Sequence, residues 1–372
     1  MQKNLVPIHI DGGTLEGGGQ LVRNAVAFAA LLLKPINVSD IRNKRKPGGL
    51  KPQHTTDSSH NKYRETTGLK LVEQICDATT EGIQKGSMEI TFIPQKLKIG
   101  QYIADTATAG SIALLLQITL PCLLFASPHE SEQTTSYLTL KGGTNAAAAP
   151  QIDYTEHVFL PFLHSQFGID IHLEVQRRGY WPKGGGDVSV IIPSIPDTIP
   201  AINLTTRGPV VSVRGKSFVA GGLPLNIAEL MAQFAKSSLV AYGIDKNIID
   251  IEVFKDEEAI GSGSGIVLWA HTAGGCILGG SAVGAKGTNA TITGRRAGEE
   301  LVRNLSNEAC VDEYLQDQII IFMALAKGTS RVSIGPVTTH TKLDSDLVSR
   351  EADKRNFSIR GGTRNKALHL IL

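Results

Sequence analysis

The side chain best suited to covalent chemistry is His340, in the polar segment IGPVTTHTKLDSD that follows the strand-like residues 332–334. A histidine in a loop or at a strand end can expose one ring nitrogen while a neighbour orients the other, which a nitrogen nucleophile requires. An ordinary loop or polar-core histidine is the competing reading, so its chemistry depends on its surroundings. Groups that handle phosphate occur far upstream. Glu16 opens the run EGGGQ, where three glycines let the backbone approach a ligand and the following helix offers free N–H groups to an anion. The run is neither a GxxxxGK[ST] loop nor a complete GxGxxG fingerprint, and a structural turn also accounts for it. Arg23 falls in the first turn of the expected helix, where its charge opposes the macrodipole. A bound phosphate or Glu16 would compensate; a guanidinium held in solvent is the alternative.

A second basic element is IRNKRKPGGLKPQH, where Arg42, Lys44, Arg45, Lys46 and Lys51 lie within ten residues with no acid among them. Arg42 and Arg45 can grip phosphate through paired charge-assisted contacts, and Gln53 can orient a phosphate or ribose oxygen through its amide, with His54 beside it. A solvated basic loop has the same composition. RGYWPKGGG places Lys183 and two aromatics beside a permissive backbone, a secondary candidate for RNA contact or simply a tight turn. Near the C-terminus, Asp312 can cap a helix carrying Tyr314, Asp317 and Gln318. Tyr314 and Asp317, three residues apart, can share a face that offers adenine an aromatic surface and an acceptor, although a ligand-free helix rim has the same pattern.

The elements that must position these groups read as α/β. Residues 6–10 form a strand pattern, 11–19 a turn and 21–33 a nearly all-apolar helix that needs a sheet to cover it. Comparable units recur at 109–125 and 312–334, with further strands at 88–93, 137–140, 187–192 and 357–360, so repeated helix-backed sheets are expected. Prolines 193, 196 and 200 mark a transition, after which residues 210–213, 217–219, 224–242, 249–254 and 266–271 describe a smaller βα unit. The expected division is a discontinuous catalytic domain of residues 1–194 and 299–372, interrupted by an inserted domain at 195–298.

Composition excludes less than it defines. The 37 Lys and Arg nearly balance 35 Asp and Glu, so overall charge identifies no nucleic-acid binder and any phosphate site must be local. Cys76, Cys122, Cys276 and Cys310 lack zinc spacing and fit a reducing compartment. No signal-peptide pattern or membrane-length apolar run occurs, so a soluble intracellular protein without a membrane partner is expected.

Taken in order, EGGGQLVR, IRNKRKPGGLKPQH, DTATAGS, LKGGTN, APQID, RGYWPKGGG, VDEYLQDQ and GPVTTHT closely resemble the corresponding segments of RNA 3′-terminal phosphate cyclases, over nearly the whole chain. The resemblance implies three related α/β units forming a large domain, interrupted by a smaller α/β insert. It implies that His340 forms a covalent adenylate with AMP from ATP, and that the substrate is an RNA with a 3′-phosphate end, converted to a 2′,3′-cyclic phosphate. Arg23, Arg42, Arg45 and Gln53 match catalytic positions. Pro150, Tyr314, Asp317 and Gln318 match the nucleotide pocket. Glu16 matches a nucleotide-side position suited to hold Mg²⁺ or Mn²⁺. A nuclear, nucleoplasmic location with some cytoplasmic pool is expected; protein partners are not indicated.

Two departures accompany the resemblance. About ten extra polar residues occupy 56–66, either an RNA-contacting flap or a tolerated surface loop, and Gly48 stands where the family commonly has proline. A noncatalytic cyclase-like factor of ribosomal RNA maturation is the nearest functional rival, and a small-molecule transferase on a related architecture the next. The combination of His340 with the arginines favours the enzyme.

Overall fold

The computed structural model describes residues 6–14, 18–51, 68–127, 133–195, 198–351, 356–361 and 366–371. Glu16, Gln53, His54 and the 56–66 insertion lie outside them.

The apolar helix expected near the N-terminus is α1 (Gly19–Leu32), which follows β1 (Ile8–Asp11) and starts two residues earlier than the sequence pattern implied. Leu21, Val22 and the run from Ala25 to Ala30 are buried, as a helix apolar on nearly every side requires. β2 (Ile36–Ser39), α2 (Gly68–Cys76), β3 (Thr79–Glu81) and β4 (Ile90–Ile93) complete a first unit whose sheet runs β1-β2-β4-β3. The next unit repeats this order. β5 (Gln101–Asp105), α3 (Ile112–Leu124), β6 (Thr135–Gly142), β7 (His172–Arg177) and β8 (Gly186–Pro193) form the sheet β5-β6-β8-β7. Its second helical passage is broken into α4 (Ile152–Tyr154), a π-helical turn (Thr155–Phe159) and α5 (Leu160–Phe167).

The third unit begins with β9 (Ile199–Pro200) and β10 (Asn203–Leu204), and resumes much later. β11 (Val210–Ala220), α6 (Asn226–Tyr242), β12 (Ile249–Asp256), β13 (Gly263–Thr272), β14 (Ile277–Val283) and α7 (Ala290–Leu305) intervene, with a sheet of different order, β12-β11-β13-β14. The third unit then continues through α8 (Leu315–Gln318), α9 (Ile320–Leu325), β15 (Ala326–Lys327), β16 (Ser330–Ile334), α10 (Thr339–Glu351), β17 (Asn356–Gly361) and β18 (Lys366–Ile371). Its sheet, β10-β16-β18-β17, has the same pattern of one parallel and two antiparallel pairings as the other two. Three related units interrupted by a smaller α/β one are therefore visible in the strand order.

The division after residue 194 falls early by these pairings. β9 and β10 pair with β15 and β16 of the third unit, and α7 continues past 298 to Leu305 while packing on α6 and β14. The prolines near 193–200 mark a link between the second and third units; the inserted elements occupy 210–305. Close packing of α7 on α6 depends on Gly294, where a Cβ would lie 2.1 Å from the Met231 carbonyl oxygen.

Helices of the units share one core, with α1 against α2, α3 and α10. The insert is joined to the second unit by a buried cation. Arg178, just after β7 and 5% exposed, donates to both carboxylate oxygens of Asp153 at 2.6 Å and lies 3.2 Å from Asp256 at the end of β12. Its guanidinium also sits 4.4 Å from the Phe218 ring centre on β11. The guanidinium holds Asp153 below the usual carboxylate range despite burial.

Removing one partner of such a pair leaves a charge stranded in the core. Arg178→Ala is expected to lower unfolding stability by about 3–5 kcal/mol, read from urea midpoints. Pairing Arg178→Met with Asp153→Leu should recover much of that loss; equal losses in the single and double variants would show that packing, not charge, holds the junction.

Candidate active site

Two adjoining cavities open where the three units meet. The larger, about 490 Å³, is lined by Arg23 and Gln20 of α1, by Gln117 of α3, by Ala148, Ala149 and Pro150, by Tyr314, Asp317 and Gln318, and by His340. The smaller, about 260 Å³, is lined by Gly18 and Gly19, by Arg42 and Arg45, and again by Arg23 and His340. The expected residues that lie among the described ones are thus brought together around His340: Arg23, Arg42, Arg45, Pro150, Tyr314, Asp317 and Gln318. Glu16 and Gln53 are outside the described residues.

His340 is not in a loop or at a strand end. It is the second residue of α10, and its side chain is exposed. Thr338 closes the helix start by accepting from the Thr341 N–H at 3.0 Å, and Thr341 in turn donates to Gln316 of α8 at 3.1 Å. The polar run PVTTHT contained this cap, but its threonines also suit a loop. As a consequence the N-terminal end of α10 carries its partial positive charge to the same place as the histidine.

The arginines are arranged for an anion. Arg23 is the fifth residue of α1 rather than part of its first turn, and its Nε is buried with no hydrogen-bond partner, as is that of Arg42. Burial pulls Arg23 down to about 10 even though Asp317 and Asp344 oppose the shift, and Arg42 adds repulsion. Arg42 is lowered by its own burial and by Arg45. Three cations on one small cavity, two with orphaned donors, are stabilised when an anion enters. A guanidinium merely resting in solvent does not describe Arg23.

The aromatic side is built just as deliberately. Asp312, buried, accepts from the Tyr314 N–H at 2.9 Å, the Leu315 N–H at 2.8 Å, the Gly279 N–H at 2.7 Å and the Tyr154 hydroxyl at 2.7 Å. Burial pushes its carboxyl up to about 6 against the pull of those donors. Asp312 holds the N–H groups at the start of α8 as expected, but Tyr314 flanks that helix instead of lying in it; the same carboxylate ties the segment to the insert and to α4. Tyr154 meets the Tyr314 ring edge-on at 5.7 Å between centres.

Residues that sequence reasoning missed lie beneath the cavities. Gln20 donates from one nitrogen to both Asp317 and Asp344, at 2.9 Å each, and Asn24 donates to Asp344 at 2.5 Å. Asp344 follows His340 by four residues, so α10 places the two on one stripe, the histidine outward and the carboxyl 1% exposed in the core. Burial raises Asp317 to about 7; burial and the charge of Asp317 raise Asp344 well above its usual range. The spacing was present in HTKLD, but the partners on α1 are more than 300 residues away.

Among the described residues one group of three could present ligand atoms to a metal, namely Asp153, Glu156 and His157. Arg178 takes both oxygens of Asp153 and Lys216 lies 3.9 Å from Glu156, so the group is already occupied by cations of the chain. No helix of the described residues is long and apolar enough to cross a membrane.

A family model described as RNA 3′-terminal phosphate cyclase matches residues 14–355. The chain is 38% identical to a protein named RNA 3′-terminal phosphate cyclase from Staphylothermus marinus, over 90% of this chain and 89% of that one. It is 37% identical to one of the same name from Pyrobaculum aerophilum, over 92% of each. Another from Ignicoccus hospitalis is 36% identical over 95% of each.

The two carboxyls under the cavity carry a measurable sign. Both hold protons in the folded chain that they release on unfolding, so stability falls as the pH rises from about 4, the unfolded carboxyl value, towards about 7, where folded Asp317 titrates. Asp344→Asn removes one carboxyl and relieves the other. The variant is expected to show a higher Tm than the parent at pH 8, with the gap closing at pH 5. Parallel Tm curves across that range would refute the pairing.

Proposed function

The chain belongs to the RNA 3′-terminal phosphate cyclase family, and from that membership we propose that it converts RNA 3′-phosphate ends to 2′,3′-cyclic phosphates with ATP, through His340. The observation that carries this reading is the junction of the two cavities at His340 and Arg23, one side aromatic and amide-lined, the other lined by Arg42 and Arg45.

In the proposed first step ATP lies with its base towards Tyr314, Pro150 and Gln318 and its α-phosphate beside His340. The unprotonated ring nitrogen attacks the α-phosphorus, a P–N bond forms, the bond to the bridging oxygen breaks, and pyrophosphate leaves. An oxygen of the RNA 3′-phosphate then attacks the same phosphorus, breaking the P–N bond and returning the imidazole. The neighbouring 2′-hydroxyl attacks the terminal RNA phosphorus, AMP departs, and the hydroxyl proton is lost to solvent or base. Arg23, on both cavities, would counter charge in each transfer, while Arg42 and Arg45 would grip the RNA phosphate and Gln53 would align one of its oxygens. A divalent cation, Mg²⁺ or Mn²⁺, belongs to the proposal with Glu16 as its carboxylate ligand; bound there, it would shield the triphosphate charge.

The orphaned Arg23 and Arg42 donors favour this enzyme over a noncatalytic scaffold, because a scaffold has no need of cations left unsatisfied around an exposed histidine. A nuclear location is a separate proposal, on which the archaeal relatives have no bearing.

With ATP labelled at the α-phosphate, label is expected on the protein and, after a 3′-phosphorylated RNA is added, in AMP. His340→Ala should abolish both. Arg42→Ala should retain adduct formation but slow its discharge to RNA at least about tenfold, the scale of one charge-assisted hydrogen bond. A folded parent protein that forms neither adduct nor cyclic end with Mg²⁺ or Mn²⁺ would overturn the reading in favour of the scaffold.

A further inference from the structure

Trp181 is 80% exposed. An aromatic side chain of its size usually buries on the order of 150–250 Å², so its display in water forgoes stabilisation that a core position would supply. The loop beneath it is rigid. Tyr180, 3% exposed, donates its N–H to the Ile260 carbonyl at 3.2 Å, and the Gly184 N–H returns to the Tyr180 carbonyl at 2.8 Å, closing a tight loop with Trp181, Pro182 and Lys183 at the tip. Gly184 has φ +65°, and a Cβ there would lie 2.0 Å from the Thr108 carbonyl oxygen. The base of the loop is thus backbone packed on backbone, and Trp181, Pro182 and Lys183 stand exposed above it.

That base is joined to the proposed site by one short stretch of chain. Thr144 and Gly179 exchange two hydrogen bonds, the Thr144 N–H to the Gly179 carbonyl at 3.0 Å and the Gly179 N–H to the Thr144 hydroxyl at 3.1 Å. Ala148, which lines both cavities, is four residues further along the chain, a contour of at most about 14 Å. The Thr144 segment leaves the carboxyl end of β6 and the Gly179 segment that of β7, which runs the same way because both strands pair antiparallel with β8; this is the side of an α/β sheet on which ligands collect. Lys183 is exposed two residues after Trp181, and Arg177 is half-buried before it, whereas Arg178 is engaged by Asp153 and Asp256. An exposed aromatic face and a flexible ammonium two residues apart match the alternating base and phosphate of a single strand. A protein partner would ask instead for a wider apolar patch around the indole.

We propose that this loop is a docking subsite for the single-stranded RNA upstream of the terminal phosphate, with one base stacked on Trp181 and an adjoining phosphate on Lys183. The proposal rests on the RNA-end reading above, and it extends the site from the reacting nucleotide to the strand that leads into it.

Fluorescence separates the two. The chain has two tryptophans, and Trp269 is 7% exposed and stacked on His157, so a change in emission on adding RNA reports Trp181. Titration with a 3′-phosphorylated oligoribonucleotide is expected to quench emission in the parent and not in Trp181→Phe. In cyclisation, Trp181→Ala should raise KM for the oligonucleotide roughly tenfold, equivalent to about 1.4 kcal/mol of lost stacking, with kcat and self-adenylylation unchanged. Trp181→Phe should recover most of the KM, and a mononucleoside 3′-phosphate should not distinguish the three proteins. An unchanged oligonucleotide KM, or the same loss on the mononucleoside, overturns the subsite. A parent protein that quenches with RNA but makes no adduct or cyclic end leaves the subsite standing and removes the reaction; absence of quenching with normal cyclisation does the reverse.

Discussion

The fold depends on how it houses one buried cation. Arg178 is surrounded by groups from three separate stretches of chain: Asp153 in α4, Asp256 at the end of β12, and the Phe218 ring on β11. Removing a guanidinium from water costs several kcal/mol, and only a bidentate carboxylate in the right plane returns most of it. The second unit and the insert must therefore meet in one register. Lysine offers a point charge without the planar fork and could not satisfy both oxygens of Asp153 while covering a ring. That register extends to chemistry, because Asp153 is three residues after Pro150 and Arg178 immediately precedes the Gly179 backbone that binds Thr144. The aromatic wall of the larger cavity and the base of the Trp181 loop hang from the same ion pair.

A second polar cluster does comparable work between α1 and α10. Most of that interface is apolar, yet Gln20, Asn24, Asp317 and Asp344 form a hydrogen-bonded seam through it. Such a seam is costly unless every member is partnered, and one amide nitrogen shared between two carboxyls is a spare solution that favours keeping a proton on the pair. It disfavours sliding of α10 along α1, since a shift of one turn would leave carboxyls in hydrocarbon. The histidine at the exposed end of α10 inherits that fixed position, as does Arg23 on α1, which lies next to the seam and feels both acids.

Much of this was legible in the chain. The apolar stretch that became α1, the Asp312 cap and the basic pair Arg42 and Arg45 could be read directly, because each depends on neighbours within a few residues. The resemblance supplied what spacing could not, the grouping of His340 with residues near both termini. Three features stayed hidden for physical reasons. Threonines before His340 suit a loop as well as a cap, so the helix was not seen. β9 and β10 are two residues each and pair with strands more than 120 residues away, so proline content suggested a boundary too soon. Asp344 looked like one acid in a polar segment, although tertiary contact leaves it only 1% exposed.

His340 and Asp344 together show how the site reconciles reactivity with stability. On one helix, four residues apart, the first is exposed at a helix start that Thr338 caps, and the second is locked into the core by two amides. The nucleophile proposed for His340 would need an available lone pair and a fixed position, demands that conflict if one side chain has to meet both. Here the helix divides them: capping by Thr338 and the Thr341–Gln316 bond hold the exposed end, and the seam holds the turn below. Asp317 and Asp344 oppose the effect of burial on Arg23, whereas Arg42 has only its burial and the repulsion of Arg45 acting on it. Arg23 and Arg42 stay under-satisfied at Nε, so an anion, rather than the protein, would complete their electrostatics.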